Sequence, residues 1–420
     1  MRERHAFVRV GKGHGKRRMH RRWLILGVLF VARTAMGFQY QTIGSSAPSL
    51  VRDLHIGFTG IGTLIGLYHI SGVFLSLPGG LIIQRLGDKT ICTAGLTAMA
   101  LGGMMVSVAD GYGLVFTGRL LSGMGAILFN LVITKMTADW FARREIVVAM
   151  AVILSTWPFG IALGLFTQPR IAEEFGWRAV MLLAGGLCLV SMLFVSVCYR
   201  RPPEEESGVP AWDASRGRFF VLPPPRVLAP VVAAGLMWGS FNAGVVGYFS
   251  FVPVLLAEHG GMTLAQSGAL TSLALWVGML SIPFGGSVAQ WIGRPGATIL
   301  LFCGCASVAL ASIAVGAPPL FACVAFGLAI GPPPGVITSL PTRILSAADR
   351  PAGFGVFYTC HFLLQASGPA FAGWVHDHSG AGAAVFFAAA MFVVPLPLLA
   401  VFELLARRSK RVEKHAGAAV

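Results

Sequence analysis

Acidic residues are scarce in this chain, and none lies where a buried charge would need it. There are 17 Asp and Glu in 420 residues, and charged residues of both signs make up 12%. A soluble globular domain carries roughly 25%. All 17 acids fall in loops, tails or the ends of apolar runs; Asp53, Asp88, Asp110, Asp139, Glu145 and Glu258 are typical. A cation inside such a run therefore has no carboxylate of its own helix level to pair with. The apolar runs show no period-two alternation, which excludes a transmembrane β-barrel. The seven cysteines lie in or beside apolar runs rather than in outer loops, so no disulfide framework is expected. Cys303-x-Cys305 has no neighbouring His or carboxylate to complete a metal site. The first apolar run is too long for a signal core and no small-residue cleavage site follows it, so it is expected to remain as the first helix.

What is abundant is apolar sequence: 55% of residues are hydrophobic and mean hydropathy is +0.74. Twelve apolar spans can be read, near 23–44, 58–78, 90–108, 114–135, 146–167 and 178–198, then 228–252, 265–288, 296–315, 319–340, 353–374 and 382–405. Each is close to the ~20 residues that cross a bilayer as a helix. Glycine is plentiful (53 residues), which suits helices packed closely in lipid. Pro332, Pro333 and Pro334 are expected to break or kink the tenth span, because proline removes a backbone donor.

The chain repeats itself. Gly79-Gly80-x-x-x-Gln84-x-x-Gly87 recurs 206 positions later as Gly285-Gly286-x-x-x-Gln290-x-x-Gly293. Basic residues accompany both copies: Arg85 and Lys89 in the first, Arg294 in the second. The unit duplicated is thus a membrane unit of about half the chain. The expected organisation is a basic tail (1–22), a six-helix bundle (23–198), a linker (199–227), a second six-helix bundle (228–405) and a short tail (406–420). The linker is polar and bracketed by Pro202-Pro203 and Pro223-Pro224-Pro225, a composition that lets two bundles move against one another.

Charge sets the orientation. With both termini cytoplasmic, 27 of the 32 Lys and Arg lie on the cytoplasmic side, three (Arg52, Arg170, Arg178) lie outside, and Arg33 and Arg119 lie within spans. The positive-inside rule selects this topology, and an inner-membrane location follows as the expectation. The net charge of +15 is then topological rather than a nucleic-acid footprint; the basic tail (Lys16, Arg17, Arg18, Arg21, Arg22) suits anionic lipid better.

Twelve spans in two sixes, a longer central loop and a Gly-rich basic loop after span two resemble the major facilitator superfamily. The loop signature of that family, G-x-x-x-D-x-x-G-x-[RK], stands here as Gly80, Gln84, Gly87 and Lys89, with Gln84 where the family has an acid. Its span-four pattern R-x-x-x-G-x-G stands as Arg119, Gly123 and Gly125. Its Gly/Pro-rich fifth span is approximated by Trp157-Pro158-Phe159-Gly160, with Gly164 one turn on. Phe175-Gly176-Trp177-Arg178 at the start of span six looks like branches that carry small anions such as cyanate, nitrate or monocarboxylates. The resemblance implies an all-α membrane fold of two pseudo-symmetric six-helix bundles and a solute site between them. It also implies that spans one, four, seven and ten line the cavity, while two, five, eight and eleven close it.

Arg33 sits at the middle of span one. A guanidinium at that depth costs about 2.5–3.5 kcal/mol even on insertion scales, so it should face a cavity or partner. Two readings stand: it binds an anionic substrate, or it is a structural arginine held by helix carbonyls and water. Arg119 is either a coupling residue, as the family motif implies, or a tether between helices. Lys135 and Asp139 are four apart and pair on one helix face as a gate or surface pair. The loop residues Gly80, Gln84, Arg85, Gly87 and Lys89 are the gating candidates. His69 and His361 are the mid-membrane groups suited to proton coupling. Further cavity candidates are Gln39 and Tyr40 in span one, Tyr68 in span two, Asn130 in span four and Trp157 in span five. Span seven adds Trp238, Asn242 and Tyr248. Span eleven adds Tyr358 and Gln365, which share a face with His361. For each, an interhelical hydrogen bond is the plain alternative.

The sequence thus reads as a secondary carrier that moves a small, anionic solute through the bilayer by alternating access. A drug/proton antiporter is the competing reading, and the absence of an intramembrane acid counts against it. A transporter-fold sensor would add a signalling domain or long tail. An enzyme would need a polar cluster, and His376-Asp377-His378 is the one candidate; it reads as an ordinary outer loop, and no enzyme activity, cofactor, metal or nucleic-acid partner is expected. The expected state is a monomer in lipid.

Overall fold

The computed structural model describes residues 12–76, 78–141, 145–200, 222–346 and 349–417. Every regular element among them is helical. The first half contains α1 (Lys12–Ser45), α2 (Ala47–Leu54), α3 (Phe58–Leu75), α4 (Gly79–Leu86), α5 (Asp88–Ser107), α6 (Tyr112–Trp140), α7 (Ile146–Phe175) and α8 (Trp177–Cys198). The second contains α9 (Pro225–His259), α10 (Leu264–Ile292), α11 (Pro295–Ala314), α12 (Pro319–Ile330), α13 (Pro333–Ser339), α14 (Arg350–Met391) and α15 (Pro395–Gly417). Proline opens α9, α11, α12, α13 and α15, where its missing N–H would have had no helical partner anyway. Thr263 and Gln266 form a reciprocal capping box at the start of α10.

Eleven helical stretches are long and apolar enough to cross a membrane. The last of them, Ala352–Arg408, is 57 residues long and holds two passes. Gly380 divides it, with φ 85° and ψ 173°. The rings of Phe371 and Phe387 lie 5.0 Å apart across this point. In a straight helix those residues would be separated by ~24 Å, so the chain turns back on itself. Gly87 (φ 81°, ψ 153°) and Gly176 (φ 81°, ψ 162°) make the same one-residue turn between α4 and α5 and between α7 and α8. A side chain is strained in that region, so glycine is what allows so short a link. The protein is therefore an integral membrane protein whose described residues make twelve passes, with the start of the first pass and the end of the last on one face. That face is called the terminal face below, and the opposite one the far face.

The tenth pass breaks where its prolines predict, between α12 and α13 at Gly331–Pro332. The two copies of the repeated loop differ. In the first, Pro78 interrupts the chain and Gly79–Leu86 forms the separate helix α4. In the second, Gly285 and Gly286 lie inside α10, which runs on to Ile292 and ends at Gly293 in the left-handed region (φ 68°). Equal sequence thus gives a hinged helix in one half and a continuous one in the other. The basic tail is helical from Lys12, and α15 continues past the expected end of the last span to Gly417. Most of the expected linker (201–221) lies outside the described residues.

The bundles meet along α3 with α14 and α7 with α10, while α1 also touches α9. Close approach comes from Gly62 and Gly66, one turn apart on α3. A methyl at either would collide with the carbonyls of Pro369 and Ala366 on α14.

Candidate functional site

At mid-membrane, where the bundles meet, aromatic rings form a continuous series. Tyr40 of α1 is its centre in the first bundle, with ring centroids 5.0 Å from His69, 5.1 Å from Trp157 and 5.2 Å from Tyr68. Across the interface, Tyr40 meets Phe249 of α9 at 5.9 Å, and His69 meets Phe362 of α14 at 6.1 Å. The series continues through Phe362 to His361 at 4.8 Å and from His361 to Trp238 at 5.7 Å. Several polar atoms within it are buried without a hydrogen-bond partner: the Tyr40 hydroxyl, His69 Nδ1 and His361 Nδ1. Such groups are costly unless something supplies the missing bond.

Arg33 lies seven residues before Tyr40 on α1, about two turns toward the terminal face and on the same helix face. It is 7% exposed. Its Nη1 donates to the Ile153 carbonyl of α7 at 3.2 Å, and Thr156 donates to the same oxygen at 2.6 Å. Its Nε has no partner. Among the described residues no carboxylate pairs with it. Ile153 stands one turn below Trp157, so the guanidinium sits beside the ring series on its terminal-face side.

Arg119 is held quite differently. Its Nε donates to Leu64 O at 3.1 Å, Nη1 to Gln39 O at 3.1 Å and Nη2 to Tyr40 O at 2.6 Å. The Tyr68 ring lies 4.6 Å from its guanidinium carbon. Three carbonyls and a ring face satisfy the charge, and the side chain ties α6 to α1 and α3.

The other sequence candidates divide. His69, His361, Trp157 and Trp238 belong to the ring series. Gln39 turns away: its amide donates to Met99 O of α5 at 2.6 Å, and the Tyr68 hydroxyl lies 3.5 Å from its oxygen. Six residues from Arg33 is about 240° around a helix, so the two cannot share a face. Asn242 donates to Trp238 O along its own helix at 2.8 Å. Tyr248 donates to Thr271 O at 3.0 Å and stacks on Phe326, inside the second bundle. Gln365 is buried, Asn130 half-buried, and Tyr358 exposed at the edge of His361.

On the terminal face, Lys135 bridges Asp139 at 3.0 Å and Asp88 at 2.5 Å, and Lys89 donates to Ser196 O of α8 at 2.6 Å. The loop signature's missing acid at Gln84 is thus accompanied by a carboxylate at Asp88, which opens α5. Gly80 lies within α4, Gly87 makes the turn after it, and Arg85 is exposed. The Gln84 side chain lies outside the described residues. All of these bonds stay within the first bundle.

The far face holds residues that the sequence reading did not assign. His376-Asp377-His378 is not the outer loop expected from the sequence but the last helical turn of the eleventh pass before Gly380; there Asp377 accepts from the backbone N–H groups of Phe58 and Thr59, each at 2.8 Å, and from the Thr59 hydroxyl at 2.6 Å. It caps the start of α3 in the other bundle. Glu173, at the end of α7, accepts from Ala265 N at 3.1 Å at the start of α10. Asp377 and Glu173 are 204 positions apart, close to the 206 of the repeat, and that offset was the available signal. Phe175-Gly176-Trp177-Arg178 braces this face within the first bundle. Trp177 donates to Asp53 at 2.9 Å, and Arg178 to Ala109 O at 2.9 Å and Asp110 at 3.3 Å. The Trp177 indole N–H, helped by Arg52, holds the Asp53 carboxyl below its ordinary pKa.

Residues 29–347 match the sequence profile of the Major Facilitator Superfamily. Among curated proteins, the chain is 20% identical over 308 residues to the probable galactarate/D-glucarate transporter GudP of Escherichia coli (strain K12), covering 66% of this chain and 68% of that one. It is 25% identical over 353 residues to the inner membrane transport protein YajR of the same organism (79% and 72%). It is 24% identical over 290 residues to the 4-hydroxybenzoate transporter PcaK of Pseudomonas aeruginosa (62% and 64%).

Proposed function

This chain belongs to the Major Facilitator Superfamily, a family of membrane transporters and not enzymes, and we propose that it carries a small organic anion by alternating access. The observation that carries the choice of solute is Arg33: a buried guanidinium beside the interface with an unpartnered N–H and no carboxylate among the described residues. An anionic ligand supplies both charge and geometry. The names of two relatives, which specify galactarate/glucarate and 4-hydroxybenzoate, support an organic acid. A cyanate- or nitrate-like branch rests only on Phe175-Gly176-Trp177-Arg178, and bracing of the far face accounts for those residues. A drug/proton antiporter would use an acid within the membrane, and no Asp or Glu falls in the middle of a span.

In this reading the terminal face is cytoplasmic, as the distribution of Lys and Arg favours. The bonds between bundles lie on the far-face side of the site: Gln41 to Phe249 O at 3.4 Å, Asp377 to α3 and Glu173 to α10. The conformation is then closed outward. Rocking of the bundles would release these bonds and close the terminal face instead, with the ring series and Arg33 near the pivot. Gly87, Lys89, Lys135 and Asp139 keep the terminal end of the first bundle rigid during that motion.

Uptake by proteoliposomes across a panel of organic anions and cationic drugs tests the proposal. Arg33→Gln should lower anion uptake by at least about tenfold, since charged hydrogen bonds are worth roughly 1.5–3 kcal/mol. If Arg33→Gln carries anions as well as the parent does, Arg33 is structural and the anion reading fails.

A further inference from the structure

Resting on the reading of the chain as an organic-anion carrier, we infer that its solute is an aromatic monocarboxylate rather than a sugar diacid. Three features of the interface lead there.

The first is the number of available charges. A dicarboxylate asks for two cationic partners. Arg33 and Arg119 are the arginines within the spans, and Arg119 already donates to three carbonyls. Lys135 is engaged with two carboxylates at the terminal face. Arg22, at the terminal end of α1, is paired with Glu145, so among the described residues Arg33 is the guanidinium beside the ring series that keeps an open N–H without a carboxylate partner, and the site offers one positive charge.

The second is what surrounds that charge. A sugar acid presents a hydroxyl on nearly every carbon, and each would lose its water on entry. Ring faces cannot replace those bonds, and the three polar atoms left open on the series, Tyr40 Oη, His69 Nδ1 and His361 Nδ1, are too few for a sugar diacid's hydroxyls and second carboxylate. The walls here are Trp157, Tyr40, His69, Phe362, His361 and Trp238, whose successive rings lie 4.8–6.1 Å apart along the series. Such spacing matches offset and edge-on ring pairs, and a planar ring can join it at either end.

The third is the placement of polar atoms. Tyr40 Oη, His69 Nδ1 and His361 Nδ1 are buried, unpartnered and on the ring series, while Arg33 stands about two helical turns (~10 Å) toward the terminal face. A carboxylate on Arg33 directs its ring past Trp157 toward Tyr40 and His69. A hydroxyl on the far edge of that ring meets a group able to pair with it. The pattern of one anion at one end, a flat apolar middle and one to three hydroxyls at the other end is that of a hydroxylated benzoate.

Purified full-length protein in lipid nanodiscs, titrated calorimetrically with 4-hydroxybenzoate, benzoate, cyclohexanecarboxylate, phenol and D-glucarate, tests this. Benzoate should bind about tenfold more tightly than cyclohexanecarboxylate, which keeps the charge and bulk but loses the π-face. 4-Hydroxybenzoate should bind more tightly still, and phenol should fail. Trp157→Leu should erase the preference for benzoate over cyclohexanecarboxylate. Glucarate binding more tightly than every aromatic acid, or equal affinity for benzoate and cyclohexanecarboxylate, overturns the aromatic assignment and leaves the organic-anion reading standing. Absence of binding by all four anions overturns both.

Discussion

The far face and the terminal face of the interface are built differently. At the far face, two carboxylates reach across and cap helices of the opposite bundle. At the terminal face, among the described residues, no hydrogen bond or ion pair crosses between bundles; Lys135, Asp88, Asp139 and Lys89 all bond within one. Closure at one end thus depends on short polar contacts at two points, backed by the glycine-lined packing of α3 on α14. The arrangement also obeys the duplication. The fifth and eleventh passes occupy equivalent places in the two halves, and each ends in an acid, Glu173 or Asp377, that caps a helix of the opposite bundle.

The largest disturbance of this contrast should come from Gly66→Leu. The side chain would strike the Ala366 backbone, and overpacking of about 2 kcal/mol would favour the far-face-open state roughly 30-fold. Distances between spin labels at exposed Arg52 and His259 should lengthen; unchanged distances would show that α3 and α14 do not set the closure. Asp377→Ala should come next. Loss of a charged cap is worth about 1–2 kcal/mol, or some tenfold in the same equilibrium. Glu173→Ala removes a single bond and should shift it only about threefold, for roughly 0.7 kcal/mol. The two effects should add, because the sites share no partner. A strongly non-additive pair would mean that the latches are not independent. The smallest effect on the labels belongs to Asp53→Asn, which should leave their distance as it was, because Asp53 braces one bundle only. It should instead lower thermal stability at neutral pH. Because the folded carboxyl is held below its ordinary pKa, this difference from the parent should shrink as pH falls through the folded value, where Asp53 of the parent also becomes neutral.

Much of the fold can be read from hydropathy because the thickness of a bilayer leaves little choice of helix length. The proline break in the tenth pass is legible for a similar reason, since a missing donor acts locally. Pro78 is less so: each Gly-Gly copy has a proline just before it, yet Pro283 lies inside the continuous α10 while Pro78 precedes a separate α4, so the pattern alone does not tell the two apart. The site is legible in proportion to how far it depends on one helix. Tyr40 could be placed with Arg33, and Gln39 away from it, from helical phase alone. Arg119 could not be assigned, because its three acceptors come from residues 55–80 positions away. Asp377 reads from the sequence as outer loop beside two histidines but lies in the last helical turn before Gly380; its partners are more than 300 positions upstream, and no local pattern marks them.

Asp377 lies three residues before Gly380, where the chain doubles back in a single step. That short tether leaves the carboxylate no slack with which to follow α3 as it moves away. Hydrogen bonds fade within about an ångström of stretching. Release at this corner should therefore resemble a snap fastener: most of the resistance is met at the start of the swing, and the remainder of the stroke runs against little.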